Sequence, residues 1–244
     1  MIELVRTHHQ LIWDALSHFD SSYLEANNIL FGGGTRIALE LGEYRESTDI
    51  DFFCAGRSSY RAVRSQTTNS SLGHVLNENS GLEFLRDIRA DRDAVRTYVR
   101  TPEDGTPIKL EFVHFDICDI VQDEGDTLFN VPVVDRATCF TTKLLANADR
   151  FDNPSRKDIF DLCMMRREWG EIPVEAWENA DRTYGYPTIF QGLYGALSKL
   201  MDESDSAIET AVDSLKIEEN LANELIDDVS ELLLSETQIK EAEV

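Results

Sequence analysis

The stretch Phe31-Gly32-Gly33-Gly34-Thr35 and the triplet Asp49-Ile50-Asp51 carry the clearest chemistry in this chain, with thirteen residues between Thr35 and Asp49. Small residues in a row let backbone N–H groups approach phosphate oxygens with no Cβ in the way. Two aspartates one residue apart on a strand place both carboxylates on one face. A phosphate cradle beside a carboxylate pair is what a metal-dependent enzyme acting on a nucleoside triphosphate requires.

The surrounding pattern supplies elements to hold these groups. Residues 4–19 place Leu4, Leu11, Ile12, Ala15, Leu16 and Phe19 at near-helical spacing, which predicts an opening amphipathic helix. Asn28 to Phe31 reads as a short buried strand running into the glycines. Thr35 to Leu41 returns to helical character, with Gly42 where a helix stop belongs. Asp49 to Cys54 is a second strand, and the Ser-, Asn-, Arg- and Thr-rich residues 56–80 predict a mobile loop with a short helix. β-character follows in runs at 83–90 and 93–100, then a turn signal at Pro102-Glu103-Asp104-Gly105 and an alternating strand from Ile108 to Phe115. In that strand Ile108, Leu110 and Phe112 share one face, and Lys109, Glu111 and Val113 the other. After Pro132 the pattern is helical, over 136–150, 156–168, 174–182, 188–200, 204–215 and 217–235. The fold class read from this is mixed α/β (α+β) to residue 131, followed by an all-helical domain over 132–244.

Composition narrows the function classes. The chain of 244 residues can bury a substantial core. No apolar run approaches the roughly 20 residues that span a bilayer, and the N-terminus lacks a signal-peptide layout, so a cytoplasmic, membrane-free protein is expected. Cys54, Cys118, Cys139 and Cys163 form no close pair and read as small buried hydrophobes. His8-His9 has no partner at metal-ligand spacing and reads as a helix-surface pair. Net charge is −23, from 46 acidic and 23 basic residues, which argues against strong non-specific nucleic-acid binding. The segment 201–244 alone carries fourteen acidic and two basic residues. Only six basic residues are lysines, a balance that suits high salt. The arginines between 57 and 100 form the only basic concentration in the sequence. They suit a phosphate-bearing acceptor such as a tRNA end, or else pair with Asp87, Asp91 and Asp93 on a solvated face.

Metal-dependent nucleotidyl transfer needs carboxylates for one or two Mg2+, donors for the triphosphate, and activation of the acceptor. Asp49 and Asp51 can supply the first, and Glu111 completes a trio if its strand lies beside 49–54. Gly33-Gly34-Thr35 with Arg45-x-Ser47-x-Asp49-Ile50-Asp51-Phe52 resembles the first motif of the AbiEii/AbiGii toxin family of nucleotidyltransferases, within the DNA-polymerase-β-like superfamily. Thr142-Lys143-Leu144 with Ala146 and Arg150 resembles the family's lysine-bearing helix. Arg156-Lys157-Asp158-Ile159-Phe160-Asp161-Leu162 resembles its Arg/Lys-Asp-x-x-Asp-Leu signature. The three blocks span about residues 30–165.

The resemblance implies a nucleotidyltransferase fold, with a mixed sheet flanked by helices and a helical C-terminal domain closing over the cleft. It implies that Gly33, Gly34 and Thr35 contact the phosphates and that Asp49 and Asp51 bind Mg2+ or Mn2+. Lys143 would neutralise triphosphate charge, and Asp158 would complete the site next to it. A lysine on a helix with Leu144, Leu145 and Ala146 must carry its head off the apolar face. Asp158 and Asp161 lie three apart and face one side of their helix, where Asp161 could pair with Arg156 or Lys157. Arg45 and Ser47 could bind phosphate or pin the glycine loop; Arg45 could equally pair with Glu43 or Glu46. Two departures stand out. Gly32 replaces the polar residue common in relatives, and Glu111 stands where aspartate is more usual, its extra methylene suiting a base or a water-mediated metal contact.

The function so implied is transfer of a nucleoside monophosphate from an NTP to RNA, tRNA or protein, by the toxin of a type IV-like toxin–antitoxin or phage-abortive-infection pair with a cognate antitoxin. A small-molecule nucleotidyltransferase and a non-catalytic nucleotide- or partner-binding protein are the alternatives.

Overall fold

The computed structural model describes residues 3–102 and 106–244. Of the turn expected at Pro102-Glu103-Asp104-Gly105, the last three residues lie outside the described residues. The chain forms two compact units: Met1–Glu43 with Ser47–Asp135, and Tyr44–Glu46 with Arg136–Val244.

The first unit is a six-stranded mixed sheet with helices. Its elements are α1 (Thr7–Ser17), α2 (Ser21–Ala26), β1 (Ile29–Gly32), α3 (Gly33–Glu40), β2 (Asp49–Ala55), α4 (Arg57–Gln66), β3 (Glu83–Phe84), β4 (Arg89–Ala90), β5 (Ala94–Arg100) and β6 (Ile108–Phe115). Strand order is β1-β2-β6-β5-β3, and β4 pairs with β5. β2 runs parallel to β6, with Asp51 opposite Glu111, so the strand carrying Glu111 does lie beside the aspartates. The run Phe52-Phe53-Cys54 is buried without interruption, as expected of a strand covered on both faces. Ile50, Phe52 and Cys54 face the main core with Ile12, Leu16, Phe19, Phe31, Leu110 and Phe112.

Two departures from the sequence reading have local causes. The opening helix stops at Ser17, and a second begins at Ser21 because the Asp20 carboxylate accepts the Tyr23 N–H at 2.8 Å. Residues 57–66 form a full helix where a loop with a short helix was expected. Its buried stripe is only Ser59, Tyr60 and Val63, so two apolar side chains carry the packing and the pattern is hidden among arginines and serines.

The second unit is helical: α5 (Arg136–Arg150), α6 (Lys157–Trp169), α7 (Val174–Tyr184), α8 (Tyr186–Asp202), α9 (Ser204–Glu209), α10 (Glu219–Glu224) and α11 (Ser230–Glu243). Of the last two expected helices, the first ends in a π-helical turn at Thr210–Ser214 and the second is interrupted by one at Leu225–Val229. α5 packs against α6, α7 and α8. Gly192 on α8 permits this closeness, since a Cβ there would sit 2.7 Å from Ala148 Cα. Among the described residues, no helix is long and apolar enough to cross a membrane.

Candidate active site

In the first unit the glycine turn and the aspartates meet across two strands. Gly32 on β1 is the register partner of Asp51 on β2. Gly33 has φ +73°, and a Cβ there would lie 2.6 Å from Asp51 Oδ2. Glycine is therefore required both for backbone conformation and for the carboxylate lying against it. α3 starts at Gly33, so the amides of Gly33, Gly34 and Thr35 are among the N–H groups that an α-helix leaves without intrahelical acceptors. Asp49 and Asp51 are both part-exposed.

A hydrogen-bonded chain braces this turn. The Thr35 hydroxyl donates to the Asp49 carbonyl oxygen at 2.5 Å. Its single proton is thereby committed, so the 2.7 Å contact with Ser47 has the Ser47 hydroxyl donating to Thr35 Oγ1. The Ser47 N–H in turn donates to His9 Nε2 at 3.0 Å, and His9 Nδ1 meets Glu43 Oε1 at 2.8 Å. These contacts fix the neutral tautomer with its proton on Nδ1. Glu43, buried at φ +58°, also accepts the N–H groups of Val5 and Arg6. His9 is thus fully buried, not half of a surface pair; His8 is the part-exposed member and contacts the Thr48 carbonyl oxygen. Burial pushes the His9 pKa down despite the adjacent Glu43 carboxylate. The Thr35 side chain is buried and engaged, and Ser47 pins the glycine loop, one of the two roles anticipated for it.

Glu111 shares the face of Asp51, but its carboxylate is held by two cations. Arg96 Nε donates to Oε1 at 2.7 Å, and the Lys109 ammonium bonds Oε2. Lys109 faces opposing effects: burial disfavours its charge, but the hydrogen bond to Glu111 and the charges of Glu111, Asp49 and Asp51 outweigh that and raise its pKa. No group of three or more His, Cys, Asp or Glu side chains among the described residues is arranged to hold a metal ion. Asp49 and Asp51 still fit Mg2+, which typically takes one or two carboxylates and completes its shell with water and substrate phosphate.

In the second unit a cluster of charges surrounds two aspartates. Lys143 is buried, with Nζ 2.9 Å from Asp158 Oδ1 and 2.5 Å from Asp161 Oδ2. Its head turns inward instead of leaving the apolar face, because Asp158 and Asp161 on one side of α6 replace the solvent. Asp161 pairs with neither Arg156 nor Lys157. Arg45 holds it in a fork, Nε to Oδ1 at 2.6 Å and Nη2 to Oδ2 at 2.9 Å, and the Tyr44 hydroxyl adds a third bond. Arg45 bonds the Glu46 carbonyl oxygen, not a glutamate carboxylate. Arg150 caps Asp158 at 2.5 and 3.0 Å. Burial opposes ionisation of both aspartates, but for Asp158 the Lys143 and Arg150 charges, and for Asp161 the Arg45 and Lys143 charges, hold the pKa below the usual carboxylate range. Burial likewise opposes charge on Lys143, yet Asp161 and Asp158 raise its pKa. Lys157 goes the other way, lowered by burial and then by Lys143 and Arg150. Four cations, Arg45, Lys143, Arg150 and Lys157, stand around two carboxylates, so the arginines of 57–100 are not the only basic concentration.

A sequence model described as nucleotidyl transferase AbiEii toxin, Type IV TA system, matches residues 14–234. The chain belongs to this AbiEii family. The AbiEii chain is similar in fold to JHP933 from Helicobacter pylori, with a TM-score of 0.54 and 18% identity over 99% of this chain and 97% of that one. A second H. pylori crystal structure, assigned as a candidate nucleotidyltransferase, aligns at TM-score 0.46 and 17% identity, over 95% of this chain and 99% of that one. No curated protein sequence matches the chain.

Sequence reasoning missed His9, Lys109, Arg96 and Tyr44. Lys109 carried a usable signal, a cation two positions before Glu111 on one strand face. Two stability outcomes follow. Arg45→Met, leaving Asp161 without its fork partner, destabilises the protein by about 3–5 kcal/mol in urea unfolding. Folding lowers the proton affinity of His9, so the unfolded chain binds more protons and stability falls as pH drops below about 6.5. In His9→Gln that part of the pH profile flattens. The aspartate contributions are lost separately, only as pH falls below about 4.

Proposed function

We propose that this AbiEii-family protein transfers a nucleoside monophosphate from an NTP to a polynucleotide acceptor, releasing pyrophosphate. The observation that carries the reading is the placement of the Asp51 carboxylate against Gly33, at the amide-bearing start of α3. There the amides of Gly33, Gly34 and Thr35 bind phosphate oxygens, while Asp49 and Asp51 hold a divalent cation, Mg2+ or Mn2+. The cation supplies charge neutralisation and Lewis acidity at the phosphate. Lys109, kept protonated by its neighbouring carboxylates, orients Glu111 and limits repulsion among the three acids. Glu111 is the candidate to take the acceptor proton once released from Lys109 or Arg96. In the second unit, Lys143, its pKa raised by Asp161 and Asp158, serves as a fixed cation and not a proton acceptor, with Asp158 positioning it. The catalytic work is then positioning and electrostatic stabilisation. Membership of a type IV toxin family supports a role as the toxin opposite a cognate antitoxin in the cytoplasm.

Net charge of −23 favours a second reading, a cationic small molecule as acceptor. Incubation with labelled NTPs, Mg2+ and either total tRNA or aminoglycosides separates the two. Label on RNA is expected, and label on the aminoglycosides alone overturns the polynucleotide reading. Asp49→Asn and Asp51→Asn each lower transfer by at least about 100-fold with unchanged circular dichroism. Unchanged transfer in both variants rules out the site.

A further inference from the structure

A groove of about 760 Å³ in the first unit is lined by residues other than Asp49, Asp51 and Glu111, although its rim residue Asp91 shares Arg96 with Glu111. One wall is α4, whose arginines Arg57, Arg61 and Arg64 recur at helical spacing, about 6 and 4.5 Å apart along the axis. Arg92 and the Asp91 backbone form the opposite rim. The walls are tied together: the Tyr60 hydroxyl and Arg64 Nη1 donate to the Asp91 carbonyl oxygen at 2.6 and 2.5 Å.

The charge balance of this groove runs against the rest of the chain. Arg57 and Arg61 are exposed and make no hydrogen bond or ion pair with any described residue, although the chain has twice as many acidic as basic residues. The Asp91 carboxylate does not neutralise them, because it accepts the Asp93 and Ala94 N–H groups at 2.8 and 2.9 Å and pairs with Arg96 at 2.7 Å. On the floor, His114 stacks on Tyr60 with ring centroids 5.0 Å apart. Its Nε2 is buried without a hydrogen-bond partner, 3.7 Å from Asp116 Oδ2. Buried polar atoms are normally satisfied, and Nε2 has only this long approach to Asp116, beneath the groove floor.

Position separates this groove from the triphosphate site. His114 shares strand parity with Leu110 and Phe112, whereas Glu111 and its register partner Asp51 point from the other face. From Asp51 to the end of β2 is about 13 Å. We infer that the groove binds the phosphodiester backbone of an RNA acceptor, anchoring the body of the strand on the reverse face of the sheet while its reacting end reaches the aspartates. This rests on the polynucleotide reading above. Arginines suit this partner, since a guanidinium fork matches phosphate oxygens and is weakly hydrated. A row along one helix also matches a repeating charge better than a single anion. An acidic protein segment is the rival occupant.

The test is anisotropy titration of fluorescein-labelled bulk tRNA with the full chain and with the double variant Arg57→Ser, Arg61→Ser, between about 50 and 200 mM salt. The affinity is expected to fall at least about tenfold and the salt-dependence slope by roughly 1.5 to 2. In transfer assays the variant's KM for tRNA rises with kcat unchanged. Unchanged tRNA affinity and slope overturn the inference, as does polyglutamate that outcompetes tRNA on the full chain but not on the variant. An unchanged KM with active transfer removes the groove and leaves the reaction standing. Arginine-dependent tRNA binding with no transfer under any condition removes the reaction and leaves the groove.

Discussion

The bond from the Thr35 hydroxyl to the Asp49 carbonyl oxygen is the contact on which the candidate site of the first unit depends. It joins the first turn of α3 to the first residue of β2, and so sets the glycine amides against the aspartates. The one proton of the Thr35 hydroxyl is committed to that carbonyl, so Ser47 donates to Thr35 Oγ1 and braces it. Ser47 is fixed by His9, and His9 by Glu43. Each member is buried or part-buried, where a hydrogen bond left unmade costs about 1–3 kcal/mol. A helix near the N-terminus thereby governs the geometry of a strand some forty residues later in the sequence.

The second unit shows the same logic with charges. Asp161 has no exposure to solvent and is ionised only because Arg45, Lys143 and Tyr44 converge on it. Replacing such a cluster by apolar residues could leave stability unchanged, whereas breaking one partner is costly. The cluster therefore makes better sense as a means of keeping Lys143 charged and oriented than as a source of stability. Glu111, between Arg96 and Lys109, is a parallel case in the sheet.

Much of this was legible in the sequence where one short-range rule sufficed. Strand alternation placed Asp49 and Asp51 on one face, and the alternating run from Ile108 put Glu111 on the face that proved to be theirs. The helix 136–150 was visible from its periodicity to the residue. What escaped depends on distant partners. Nothing local tells that His9 is buried beside Glu43, or that Arg45 meets Asp161 across 116 positions. α4 escaped for a different reason, since two apolar residues suffice to seat a helix whose other faces are arginine and serine. The lysine on α5 was read as outward-facing because the two aspartates that draw it inward lie on the next helix.

Where a nucleotide sits decides whether the glycine amides and the two aspartates act together. A crystal structure with Mg2+ and a non-hydrolysable NTP is the decisive measurement. It is predicted to show phosphate oxygens on the amides of Gly33, Gly34 and Thr35, and a cation held by Asp49 and Asp51. Triphosphate density elsewhere, with these amides and carboxylates making no contact to nucleotide or cation, would contradict it.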